Sequence, residues 1–65
     1  MKVKLTVDLL RDNNTSVLGA GQSITKTSAT HNEAKALVQA EIDARVLAAT
    51  TQAQELADAN TAFNS

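Results

Sequence analysis

The chain has 65 residues, 43% of them hydrophobic, with six Lys and Arg against seven Asp and Glu, a formal net charge of −1 and no cysteine. These figures exclude disulfides and thiolate metal sites, leave His31 as the only nitrogen ligand of the usual kind, and give the whole molecule no pull towards phosphate-rich partners. A single domain of this length makes a thin core, and with crosslinks and metal set aside the remaining route to stability is association.

Residues 2–10 predict a β-strand. Val3, Leu5, Val7 and Leu9 alternate with Lys2, Lys4, Thr6 and Asp8, the period-two signature of a half-buried sheet. Leu10 breaks that alternation, which marks either a bulge or a place where another chain covers the outer side. Arg11-Asp12-Asn13-Asn14-Thr15-Ser16 predicts the turn, since Asn and Asp tolerate left-handed backbone and bond to neighbouring main chain. A second, less regular strand is expected over about 16–27, interrupted by Gly19-Ala20-Gly21, where a bulge, a bend or a close backbone approach is expected. A phosphate-cradling loop needs a longer glycine pattern leading into a helix, and these glycines lead into a strand.

Thr30-His31-Asn32-Glu33 matches the capping box and opens the longest element. From Thr30 to Phe63 there is no glycine or proline, which predicts one long helix or two helices jointed near Thr50 and Thr51. Ile42, Val46, Ala49, Ala53, Leu56, Asn60 and Phe63 are spaced alternately four and three residues apart, as on a heptad seam. A second stripe, Leu37, Ala40, Ala44, Leu47 and Thr51, has the same spacing on another side of the helix. Two stripes predict two contacts, one with the chain's own ribbon and one with a second copy. The seam Ile42, Val46, Ala49, Ala53, Leu56 and Phe63 is the expected oligomer or partner interface, with small alanines allowing close helix approach.

The fold class expected is α+β: a single domain over residues 1–65, made of a ββα unit with a hairpin in residues 2–27 and a helix over 30–63, completed by oligomerisation, with a dimer favoured. No chemistry of catalysis is legible. His31 stands at a first helical turn without an orienting partner, the carboxylates are scattered round the helix, and there is no nucleophile elbow. No cofactor, metal or enzymatic activity is expected. The leading expectation is a self-associating protein that acts by contact with itself or with an unidentified protein, as a structural subunit, an inhibitor or an adaptor.

The alternative is a dimeric DNA-binding regulator that uses Lys2, Lys4 and Lys26 on the outer face of the ribbon, near Thr6 and Thr25. A strand followed by two helices resembles ribbon-helix-helix proteins in outline. The chain departs from them in its extra N-terminal strand, the lack of a glycine turn between helices and its acidic balance, and Asp8 and Asp12 make nucleic acid the less favoured partner. No apolar run approaches the roughly 18 to 20 residues of a membrane span, and the start alternates polar with apolar where a signal peptide is continuously apolar. A cytoplasmic location, or a particle assembled in the cytoplasm, is therefore expected. By association alone, small acidic chains of this kind suggest phage accessory proteins.

Overall fold

A computed structural model describes residues 1–19 and 21–65. The elements run β1 Val3–Val7, β2 Ile24–Ser28, α1 His31–Ala48 and α2 Ala53–Phe63, so the small α+β fold has one hairpin and two helices. The strands pair antiparallel, with Val3 opposite Ser28, Leu5 opposite Lys26 and Val7 opposite Ile24. β1 is shorter than the predicted 2–10, but within it the alternation is as expected: Val3, Leu5 and Val7 turn inward, while Lys4 and Thr6 face solvent. On the outside the Thr6 and Thr25 hydroxyls meet at 3.1 Å, a cross-strand pair of the kind that stabilises ribbons.

The second strand is shorter than the predicted 16–27. Only Ile24–Ser28 form it, and Ser16 meets the first arm through an isolated bridge to Leu10 and a bond from its hydroxyl to Asp8 Oδ1 at 2.7 Å. Between the strands, the described residues 8–19 and 21–23 belong to a long connection with hydrogen bonds of its own. Arg11 N–H donates to Thr15 O and Asn14 N–H to Arg11 O, both at 2.8 Å, and Asn14 takes the left-handed backbone (φ 67°) that its short polar side chain tolerates. Val17 N–H donates to Leu9 O at 2.8 Å. That bond turns Leu9 and Val17 into the core although neither lies in a strand. Gly19 (φ 107°) and Gly21 (φ 72°) hold left-handed conformations that residues with a Cβ rarely adopt, which accounts for glycine at both positions. Ala20, within that predicted bend, lies outside the described residues.

Thr30 caps α1: its hydroxyl accepts from Glu33 N–H at 3.2 Å. The reciprocal half of the capping box has another partner, because the Glu33 carboxylate accepts the Ser28 hydroxyl at 2.7 Å and so ties the helix to the end of β2. Ala34, Val38 and Ile42 follow at intervals of four and are wholly buried against the ribbon. They form the centre of a core completed by Leu9, Val17, Ile24 and Leu56, with Leu5, Val7, Leu18, Val46, Ala49, Ala59 and Phe63 packed round it.

The helix predicted over 30–63 is two helices, jointed where Thr50 and Thr51 stand. Ala49 leaves the helix with extended backbone (ψ 136°), and α2 restarts after Gln52, whose carbonyl accepts from Leu56 N–H at 2.9 Å. Two adjacent β-branched residues are poor helix formers, so the joint costs little there. It gains much, because α2 doubles back along α1 and brings Leu56 into the core. Asn60 meets Gln39 and Asp43, and Phe63 reaches Lys35, whose ammonium lies 5.8 Å from the ring centroid. Among the described residues no helix is long and apolar enough to cross a membrane.

Candidate functional site

The residues predicted as an oligomer interface are placed by the joint. Ile42 is wholly buried, Leu56 is 6% exposed, and Val46, Ala49 and Phe63 are half-buried against the same core. Ala53, at the start of α2, is exposed. A line that runs along one face of a continuous helix is folded in two here, and its two halves turn towards the chain's own interior. Asn60, the polar member of that line, lies among side chains that fasten α2 to α1. Gln39 Nε2 donates to Asn60 Oδ1 at 2.6 Å and to Asp43 Oδ1 at 2.9 Å, and Asn60 Nδ2 donates to Asp43 Oδ1 at 3.1 Å.

A second fastening joins the turn to α2. Arg11 grips Glu55 through two charge-assisted bonds, Nε to Oε2 at 2.6 Å and Nη2 to Oε1 at 2.9 Å, while its Nη1 donates to Thr15 Oγ1 and to the Ser16 carbonyl. The pair sits in an open groove of about 620 Å³ between the turn and α2, also lined by Asp12, Asn13 and Asp58. All three guanidinium nitrogens are engaged, and the other charged groups of the groove are acidic. The geometry is that of a clasp.

The hydrogen bonds from Arg11 pull the Glu55 carboxyl below its usual range, and reciprocally the Arg11 proton is held more firmly. A carboxyl whose folded pKa is depressed stabilises the fold above its unfolded pKa, near 4.3, and loses that contribution as pH falls through the folded value. Melting temperature is therefore expected to drop on acidification below about pH 4.3, and Glu55→Gln is expected to remove part of that drop. Calorimetric melts of the two proteins between neutral pH and pH 3 check it, and parallel curves would remove the clasp from the account.

The proposed basic face is reorganised. Lys26 pairs with Leu5 and so points to the helix side of the ribbon, where its ammonium lies 3.5 Å from Glu41 Oε1. Arg45 Nε approaches the other oxygen of Glu41 at 3.3 Å. The reason lies in the alternation of β2: with Ile24 buried, residues 24, 26 and 28 turn inward and Thr25 and Thr27 turn outward. A lysine accepts such a place because its aliphatic stem packs while its head finds a carboxylate. Lys2 and Lys4 remain exposed on the outer side, with Asp8 beyond them. His31 is exposed at the first turn of α1, and among the described residues no group of three or more His, Asp or Glu side chains is placed to hold a metal ion.

Opposite the core, α1 presents the second stripe. Leu37 is 45% and Leu47 89% exposed, and the alanines between and beside them, Ala36, Ala40, Ala44 and Ala48, are exposed as well. No charged residue falls within the stripe between Glu33 at one end and the Thr50-Thr51 joint at the other. A leucine on a helix is ordinarily drawn towards a core. Here two of them, Leu37 and Leu47, lie outside, lined up with small residues on one face. The hairpin adds a second kind of surface, since each strand of a two-stranded sheet has one unpaired edge. Compared with known proteins, the chain matches no family model, no curated sequence and no solved structure.

Proposed function

We propose that this is a non-enzymatic protein that acts by protein–protein contact and assembles with itself. The observation that carries this reading is the apolar stripe of Leu37, Ala40, Ala44 and Leu47, turned to solvent on the side of α1 away from the core. The polar side chains support the same reading in another way. Arg11 with Glu55, Gln39 with Asp43 and Asn60, and Lys26 with Glu41 each fasten one element to another. A scaffold fixed in that manner holds α1 rigid and presents its outer face ready for a partner, which lowers the ordering cost of binding. The available modes are a helix laid against a helix and a strand added to the ribbon edge.

Sedimentation equilibrium over a range of protein concentrations, with and without duplex DNA, tests the proposal. A mass that rises with concentration, is insensitive to salt and is unchanged by DNA is the expected result. Retention of DNA that weakens steeply with salt would favour the regulator reading, although with Lys26 held by Glu41 that reading rests on Lys2 and Lys4. A monomer throughout, with no DNA bound, would remove self-association.

A further inference from the structure

We infer that the partner on the outer face of α1 is a second copy of this chain, running antiparallel about a two-fold axis level with Ile42 but on the opposite, solvent-facing side of the helix. This rests on the contact reading above and supplies its geometry. The stripe reads the same in both directions from Ile42: alanine two residues either side, at 40 and 44, and leucine five residues either side, at 37 and 47. A two-fold interface puts one patch against itself, residue i on j and j on i. Antiparallel pairing therefore sets Leu37 against the partner's Leu47, and Ala40 against the partner's Ala44, so that large meets large at the ends and small meets small at the centre.

Charge selects the same direction. In parallel pairing Glu33 of one copy would stand beside Glu33 of the other, whereas in antiparallel pairing it approaches the Thr50-Thr51 joint, a carboxylate against hydroxyls. The carboxylates flanking the centre are already engaged on their own chain, Glu41 by Lys26 and Arg45, Asp43 by Gln39 and Asn60. Antiparallel helices also set opposite ends of their dipoles side by side.

Distance and area agree. With helix axes about 9 to 10 Å apart and Cα atoms on a radius of about 2.3 Å, facing Cα atoms lie roughly 4.4 to 5.4 Å apart, within the roughly 4.4 to 6.8 Å that a disulfide takes. A specific interface takes at least about 600 Å² from each partner, roughly a seventh of the 4452 Å² surface of one chain. One face of an 18-residue helix is a small interface by that measure, so a weak dimer, of about micromolar affinity, is expected.

The chain has no cysteine, which makes the test direct. Ala40→Cys and Ala44→Cys are prepared as separate proteins and oxidised mildly, alone and mixed. The mixture is expected to yield the 40-to-44 covalent dimer, and Ala40→Cys alone very little, because in the antiparallel pair its counterpart lies a turn away. In parallel, Leu47→Glu is expected to weaken association at least about a hundredfold, since the dimer carries the change twice, with the melting of the monomer unchanged because Leu47 is exposed. A dimer that survives Leu47→Glu forms elsewhere: the contact reading then stands and the helix pairing falls. Efficient self-crosslinking of Ala40→Cys would overturn the antiparallel direction, and a wild-type monomer at all concentrations would remove both.

Discussion

Ile42→Asp is expected to abolish the cooperative thermal transition. Ile42 is wholly buried at the middle of α1 and is one of the two largest side chains with no exposure. The substitution removes about 1.5 to 3 kcal/mol of aliphatic burial and sets an unpaired carboxylate in the interior, which costs several kcal/mol more or forces it to take up a proton. At roughly 0.05 to 0.15 kcal/mol per residue, a chain of this length is held by only about 3 to 10 kcal/mol, so the sum of the two losses is comparable with the whole. Circular dichroism at neutral pH should show a chain without a folded baseline. A native-like melt would mean that α1 turns a different face to the ribbon.

Leu56→Ala is expected to release α2 while leaving the rest of the fold recognisable. Leu56 is 6% exposed and is the one residue of α2 inside the core, so truncating it costs about 2 to 5 kcal/mol by lost transfer and the cavity left behind. The other ties of α2 are the clasp to Arg11, the amide bonds of Asn60 and the partly buried Phe63, all at the surface or close to it. Amide hydrogen exchange should therefore accelerate more over residues 56–63 than over 38–48. Equal acceleration in both segments would show that the helices unfold as one unit and that α2 is no separable arm.

Much of this architecture is legible in the residues. Val3, Leu5 and Val7 in strict alternation specify β1 and its facing, because no other regular structure buries every second residue. The turn chemistry of 11–16 and the Thr30 cap are local, and local signals survive the reading. The inward turn of Lys26 is hidden, since Ile24 is the only aliphatic in β2 and the carboxylate that accepts the lysine, Glu41, is remote in sequence. The Arg11 to Glu55 clasp joins residues 44 apart, and no spacing rule reports such a pair. The fold of the helix line is a subtler case. Ile42 to Phe63 keep one rhythm across the joint, so periodicity describes a straight helix and a folded one equally well. Only the neighbouring threonines mark the place. Which stripe turns inward follows from that joint: once α2 doubles back to deliver Leu56, the face with Val38, Ile42 and Val46 is the interior, and Leu37 and Leu47 are left outside.

The shortness of the ribbon has a consequence for assembly. A subunit with a single two-fold patch closes as a pair, whereas a subunit with two such patches on different sides polymerises, because every contact made leaves another one open. In the proposed assembly the unpaired strand edges would be the second patch. Five residues to a strand offer few main-chain hydrogen bonds to a neighbour, and lysines on such a strand resist stacking. Under the pairing proposed on α1, so short an edge would leave the dimer without a second contact from which to grow, and a longer strand would supply one.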